Sequence, residues 1–427
     1  MMDENNSKQR PAITSIRMVN FKNFVDETLR LGPFTVVVGT NASGKSNIRD
    51  AFRFLHGIGR GYTLTEVVGG KWGTGGQQEW QPIRGAANEI ARLAHRDARW
   101  LGSVFSFEVG LRVDGKCVEY AIEIAFHPRP LEFRVQQEVL RVESRTLYET
   151  TAVDDGVHSV RCGDNVRLGL SPQKAVLTQL DSHREGWPTG VQEELAKVRV
   201  REALADMRFW DLSPELMRNG AFPGSPLGDR GDSLPAVLEG ICIDEERQEL
   251  LASWLQELTP MDVSGFDFPH DPRGLVHLML CESNGRRVSA DSASDGSLRF
   301  LAMLAVLLGK NPPGLCFFEE VDTGIHAARQ SLLLELIETQ AAKRGIQVVT
   351  TTHSPELLTY ANDSTFEHIS VVCRPEHAHD AVIRPVAELP NARELRVSGG
   401  GLGSLLSEGW MESAVAFTED DEDEETP

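Results

Sequence analysis

Apolar and polar positions alternate early in the chain. Ile13, Ile16, Met18 and Val19 alternate in part, Asn20-Phe21-Lys22-Asn23-Phe24 interrupts them, and Thr28-Leu29-Arg30-Leu31 resumes. That pattern predicts a hairpin. Phe34 to Val38 is a short, continuous, β-branched run of the kind that makes a buried strand. Asn47 to His56 then carries Ile48, Ala51, Phe52 and Leu55 at helical spacing. Residues 57–83 lose all periodicity and are rich in glycine, with Trp72 and Trp80 among them; we expect a long surface loop there. Ala86 to Ala94 predicts a short helix. Alternation returns from Ser103 to Leu140 around an Asp114-Gly115 turn, the signature of an antiparallel meander. It recurs only briefly between Ser144 and Leu168.

Helical periodicity takes over in Ala175 to Leu180, Gly190 to Met207, Ser233 to Ile241 and Glu245 to Leu258. Ser233 is placed as an N-cap with Pro235 in the first turn. No heptad pattern lasts long enough for a coiled coil. Residues 262–290 return to strands, with a turn at Asn284-Gly285. The expected organisation is four-part. Residues 1–143 form an N-terminal lobe after a loose leader, 144–260 a mostly helical insertion acting as an arm or lid, 261–410 a C-terminal lobe, and 411–427 an acidic, disordered tail.

Between the strand at Phe34–Val38 and the helix after it lies Gly39-Thr40-Asn41-Ala42-Ser43-Gly44-Lys45-Ser46, a G-x-x-x-x-G-K-S sequence. Strand, glycine-rich loop and helix form a phosphate cradle. Backbone N–H groups wrap the anion and the helix N-terminus adds a partial positive charge. Gly39 and Gly44 permit the turns, Asn41, Ala42, Ser43 and Asn47 supply the rest of the cradle, Lys45 is expected to reach β- and γ-phosphates, and Ser46 to hold Mg²⁺. Nearby, Phe21 and Phe24 suit core packing or hairpin anchoring better than flanking an adenine ring, and Lys22 is a candidate phosphate contact.

Composition narrows the class. The 427 residues are 41% hydrophobic and 25% charged, an ordinary globular balance without an apolar run long enough to span a bilayer. The polar leader is not a signal peptide. Six scattered cysteines without a C-x-x-C pair point to reduced thiols and a cytoplasmic location. The net charge of −20 argues against a surface that grips nucleic acid nonspecifically all over, and part of it is the acidic run Glu419 to Glu425.

Three later stretches add chemistry. Ala293-Ser294-Asp295-Gly296-Ser297-Leu298-Arg299 opens an apolar helix, Phe300 to Leu308, and forms a second anion-ready N-terminus. Leu315-Cys316-Phe317-Phe318 is an apolar strand ending in Glu319-Glu320. The first acid suits Mg²⁺ through water, and the second suits a general base that polarises the attacking water. Gln347 to Thr352 is another buried strand, ending in His353, at the strand end where α/β sheets bind ligands. An Asn-Lys-x-Asp guanine-reading motif is missing. No metal-binding Glu and Asp-x-Asp set follows His353, which argues against a built-in nuclease.

P-loop, Ser-x-Gly, Glu-Glu and His in this order resemble the ABC-type ATPase head. They look most like the RecF/SMC-like AAA family ATPases without a long coiled coil, related to OLD-like ATPase heads. The resemblance runs through Asn20 to Phe24, Gly39 to Asn47, Ser294 to Arg299, Glu319-Glu320, Asp322-Thr323-Gly324-Ile325-His326 and Thr352-His353-Ser354-Pro355. Val321 and Ala327 stand where the family commonly has proline. It implies an α/β P-loop NTPase head with an antiparallel β subdomain and a mostly helical insertion. It implies an ATPase, with Lys45, Glu320 and His353 catalytic, and Ser46 and Glu319 on Mg²⁺. Two heads would sandwich two ATPs, with Ser294, Asp295 and Gly296 of one copy facing the P-loop of the other. The homodimer, or higher homo-oligomer, would act on or sense DNA in genome maintenance or anti-phage defence. The alternative is an ATP-gated regulatory subunit that holds and releases a separately encoded effector, a nuclease or toxin, without touching nucleic acid or membrane. The family's Q-loop glutamine is left open among Gln77, Gln78, Gln136 and Gln137.

Overall fold

A computed structural model describes residues 10–92, 103–128, 131–154, 157–163, 165–179, 191–259, 261–375, 378–398 and 401–416. The chain opens with β1 (Ala12–Phe21), β2 (Phe24–Arg30) and β3 (Phe34–Val38), and then α1 (Lys45–Gly59). α2 (Leu64–Gly69) leads into a hairpin of β4 (Lys71–Trp72) and β5 (Gln78–Trp80). Next come β6 (Ser103–Val113), β7 (Lys116–Pro128), β8 (Leu131–Val142), β9 (Arg145–Asp154), β10 (Val157–Cys162) and β11 (Asn165–Leu170). α3 (Val176–Gln179) and α4 (Val191–Ala205) precede β12 (Met207–Trp210). α5 (Pro214–Met217), α6 (Leu234–Cys242) and α7 (Glu245–Leu258) precede β13 (Val263–Asp267), β14 (Met279–Glu282) and β15 (Arg287–Ser289). The last part runs α8 (Asp295–Leu308), β16 (Leu315–Phe318), α9 (Gln330–Arg344), β17 (Gln347–Thr352), α10 (Pro355–Thr359), α11 (Asp363–Phe366), β18 (Ile369–Cys373), β19 (Val382–Pro385), α12 (Ala392–Ser398) and α13 (Leu402–Ser407).

Two sheets carry the architecture. The central one has the order β12-β16-β17-β3-β18-β19. Its first five strands are parallel, and only β19 runs the other way. The second is an eight-stranded antiparallel sheet, β11-β10-β9-β8-β7-β6-β1-β2. Successive side chains of a strand point to opposite faces, and the central sheet has a core on each. Val37, Phe317, Val349 and Val372 point into the core shared with α1, α4 and the antiparallel sheet. Val36, Val38, Phe318, Val348 and Val371 point into the core shared with α7, α8 and α9. Continuous burial on both faces is why these strands are apolar runs rather than alternating ones.

Polar contacts lock one sheet to the other. The Gln347 side chain on β17 accepts from Ile13 N and donates to Ile13 O, both at 2.7 Å, joining it to β1. The Glu27 carboxylate on β2 accepts from Ile383 N (2.8 Å) and Arg384 (2.9 Å) on β19.

The hairpin, the meander and the helices at 234–258 follow the sequence pattern, and four expectations need correction. Residues 57–83 are not a structureless loop. α1 continues through Gly57 and Gly59 because neighbours press there: a Cβ on Gly57 would meet Val67 Cγ2 at 2.7 Å, and one on Gly59 would meet Ala205 N at 2.6 Å. Those glycines serve packing, not flexibility, and Trp80 is buried, donating to Val67 O at 2.9 Å. The boundary at 144 falls inside the antiparallel sheet, since β9, β10 and β11 extend the meander, and β12 belongs to the central sheet. Ser233 is an N-cap by position, with φ +66, but its side chain caps nothing. Residues 410–416 are helical rather than tail, because Met411, Ala414 and Val415 bury one helical face. The acidic run and the leader 1–9 lie outside the described residues. Of the helix expected at Ala86–Ala94, residues 86–92 are described; they form only a 3₁₀ turn at Ala87–Glu89 before Ala91 bridges to Phe21. No helix among the described residues is long and apolar enough to cross a membrane.

Candidate functional site

The C-terminal ends of the five parallel strands open on one side, where a cavity of about 380 Å³ lies. Each strand delivers a residue to its lining. β12 ends at Asp211, β16 at Glu319 and Glu320, β17 at His353, β3 at the P-loop, and β18 at Arg374. Strand order, not sequence distance, brings them together.

The P-loop is tight. Gly39 has φ +151, and a Cβ there would lie 2.0 Å from Val372 O. Gly44 has φ +125, and a Cβ there would meet Asn23 Nδ2 at 2.9 Å. Gly39 leaves no room for a Cβ against the Val372 backbone, and the left-handed φ at Gly44 strains any other residue. Ala42 also sits in the left-handed region, at φ +64. α1 starts at Lys45 with no side chain capping its N-terminus, which leaves the cradle's N–H groups and the helix dipole to the cavity. Asn41 to Asn47 all line it. The buried Lys45 Nζ donates to Gly39 O and Thr40 O, each at 2.7 Å. Burial pulls its pKa down to about 8, with the charges of Glu320 and Glu412 opposing. Ser43 Oγ is buried without a partner, an orphaned hydroxyl in a loop shaped for an oxyanion.

The hairpin turn between β1 and β2 braces this loop. Asn23 Oδ1 accepts from Asn47 Nδ2 at 2.6 Å. Lys22 points to Asp50 on α1, which is wholly buried, and to Arg84 O at 2.8 Å; it does not face the cavity. Phe21 and Phe24 are fully buried, so the core-packing reading holds for both. Arg84 completes the brace, reaching Asp50 at 3.2 Å and the carbonyl of Ser46.

The acidic wall is held just as closely. Glu319 N donates to Trp210 O (3.1 Å), and the Glu319 carboxylate faces Arg49 Nε at 3.4 Å. Glu320 adopts φ +48, a strained conformation for a non-glycine residue. Two threonines hold it there: its N–H donates to Thr351 Oγ1, and Thr323 Oγ1 donates to its carboxylate, both at 3.1 Å. Partial burial, with the charge of Lys45 next, lowers the His353 pKa, so its imidazole is neutral near neutral pH. The oxygen-rich set of Ser46, Glu319, Glu320 and Asp211 suits a hard cation such as Mg²⁺ held jointly with a phosphate. Among the described residues no cluster of three His, Cys, Asp or Glu side chains holds a metal unaided.

Ser294, Asp295 and Gly296 stand apart from this cavity. Ser294 caps α8 by accepting from Ser297 N at 3.1 Å, and Asp295 pairs with Arg218 at 2.7 Å. Gly296 abuts Gly324, whose oxygen would lie 2.0 Å from an added Cβ. None of the four candidate glutamines lines the cavity; Gln77 and Gln78 belong to the β4–β5 hairpin, and Gln136 and Gln137 to β8. The position beside Glu319, on the strand next to it, holds Asp211, which sequence reasoning missed. Its signal was faint: one acid closing the short stretch Met207–Trp210, three apolar residues and an exposed Arg208.

Residues 246–359 match the family described as AAA domain, putative AbiEii toxin, Type IV TA system. The DNA replication and repair protein RecF of Allorhizobium ampelinum is 25% identical over 233 residues, 51% of this chain and 60% of that one. The chain thus spans less than two thirds of that relative's length. Among solved structures, the SMC head domain from Thermotoga maritima is 13% identical with a TM-score of 0.43, covering 88% of this chain and 98% of that one. An Smc head from Pyrococcus furiosus, bound to the C-terminal domain of ScpA, is 11% identical with a TM-score of 0.45, covering 91% and 99%. With the P-loop, Glu-Glu and His at strand ends and Ser-x-Gly at the start of α8, in this order along the sequence, the chain is similar to RecF/SMC-like, ABC-type AAA ATPase heads.

Proposed function

We propose that the chain binds ATP with Mg²⁺ in the strand-end cavity, hydrolyses it to ADP and phosphate, and acts on DNA as an ATP-gated dimer of heads. The observation that carries this reading is the convergence of the P-loop, Glu319, Glu320 and His353 on one cavity. Lys45 and the N–H groups of Asn41, Ala42, Gly44, Lys45 and Ser46 take the phosphates. Ser46 and Glu319 would hold Mg²⁺, which would supply positive charge to the phosphates when bound. Glu320 accepts a proton from the attacking water, aimed by Thr351 and Thr323. Neutral His353 contacts the γ-phosphate. Two copies close over two nucleotides, with Ser294, Asp295 and Gly296 of each facing the P-loop of the other, and hydrolysis reopens them.

The DNA setting, in genome maintenance or anti-phage defence, is supported by the relative named for DNA replication and repair. The six scattered cysteines, with no C-x-x-C pair in the sequence, support a cytoplasmic location. ATPase rates with and without double-stranded DNA, single-stranded DNA and RNA test the reading: stimulation by a nucleic acid, lost at high salt, is the expected result.

The net charge of −20 favours a second reading, in which the ATP state holds and releases a basic effector protein. Isolation from its host with a stoichiometric protein partner and no nucleic acid, together with unstimulated ATPase activity, would select that reading.

A further inference from the structure

α8 has one end at the surface and one flank in the nucleotide cavity. Its first residues, Asp295 and Gly296, stay out of the lining. One turn on, Arg299 and Met303, four apart and so on one helix face, enter it. From Phe300 to Leu308 every residue is buried, so the helix moves as a unit or not at all.

Arg299 is unlike the other arginines near the acids. Arg49 and Arg84 both face the Glu319 carboxylate. Arg299 shares a cavity with Glu319 and Glu320, yet among the described residues no carboxylate lies within 4.0 Å of it, and its Nε is buried without a partner. A buried donor left unsatisfied costs about 1–3 kcal/mol, and a guanidinium fork fits a phosphate bidentately. The helix that carries it also touches the base loop. Gly296 packs on Gly324, the neighbour of Thr323, whose hydroxyl donates to Glu320.

We propose that Arg299 reads the terminal phosphate of the nucleotide bound in its own chain and thereby positions α8, with its Ser294-Asp295-Gly296 end, for the triphosphate state. Arg299 is here a specificity-determining cation acting in cis, and α8 is the lever it holds. The inference rests on the cavity being a nucleoside triphosphate site.

The test compares ADP with the slowly hydrolysed analogue AMP-PNP, both with Mg²⁺, by isothermal titration on the full chain. Hydrogen exchange of residues 294–299 is followed in parallel. Arg299→Gln is expected to weaken AMP-PNP binding on the order of tenfold, the worth of one charge-assisted hydrogen bond. ADP affinity stays as in wild type, and AMP-PNP no longer protects 294–299. Arg299→Lys, which keeps the charge and loses the fork, falls between wild type and Gln, and stands in for Gln should that variant melt early. An equal loss for both nucleotides, or no loss, overturns the inference. Wild-type protein that binds neither nucleotide overturns the nucleotide reading itself, which separates the two failures.

Discussion

At the scale of single residues, the protein keeps two groups in states that free amino acids avoid. Glu320 holds a left-handed backbone, and Lys45 carries a pKa of about 8. The Lys45 shift makes a signed prediction. Phosphate favours the ammonium form, so at a pH above about 8 binding ATP must first restore a proton to Lys45. Affinity therefore falls as pH rises past that value, with proton uptake on binding. Titration calorimetry one pH unit higher, in two buffers of different ionisation heat, measures the uptake, and equal heats in both would contradict it. Gly39→Ala should abolish nucleotide binding while the fold persists, because its Cβ has only the Val372 carbonyl to move into. Binding that survives the change, followed by equilibrium dialysis, would mean that the loop relaxes. The P-loop, Glu319, Glu320 and His353 were legible in the sequence because each motif is contiguous and its chemistry is written in adjacent letters. Asp211 and the cavity-facing side of Arg299 were not, because their meaning comes from which strand or helix face lies beside which.

At the scale of elements, the antiparallel sheet is tied to α3, which packs near the C-terminal end of α1, by one buried acid. Glu138 on β8 is fully buried and accepts from Tyr120 (3.2 Å), Tyr148 (2.8 Å), Val176 N (2.6 Å) and Leu177 N (2.8 Å), so it holds the start of α3. Burial pushes its pKa up from 4.5 to about 7, against the pull of those four donors. A carboxyl raised in the folded state binds its proton more tightly there than in the unfolded chain. Its stabilising contribution is complete below about 4.5 and is lost as pH rises through about 7. Urea midpoints across that window should fall for wild type and stay flatter for Glu138→Gln; parallel curves would refute the assignment. Glu138→Ala strands four buried donors and should cost about 2–3 kcal/mol. Pattern reading served these elements unevenly. Strict alternation exposed the meander, whereas Gly57 and Gly59 read as loop because a glycine chosen for close packing and one chosen for a turn look alike in one sequence.

At the scale of the whole molecule, the parallel sheet gathers into one cavity residues as far apart in sequence as Asn23 and Arg374. The antiparallel sheet braces it through Gln347 and Glu27. The order of motifs pointed to a P-loop head of ABC type, but the domain boundary near 144 did not emerge, since it needs strand pairing that one chain read linearly does not show. The half-site nature of the P-loop is also a whole-molecule claim, because Ser294, Asp295 and Gly296 lie off their own cavity. The most direct measurement is a light-scattering mass with ATP and Mg²⁺, taken with turnover on the same sample, for wild type and Glu320→Gln. The account predicts that Glu320→Gln accumulates as an ATP-bound dimer with turnover lowered on the order of a hundredfold or more, the span typical of removing a general base. A variant that hydrolyses ATP like wild type, or that stays monomeric with ATP bound, would contradict it.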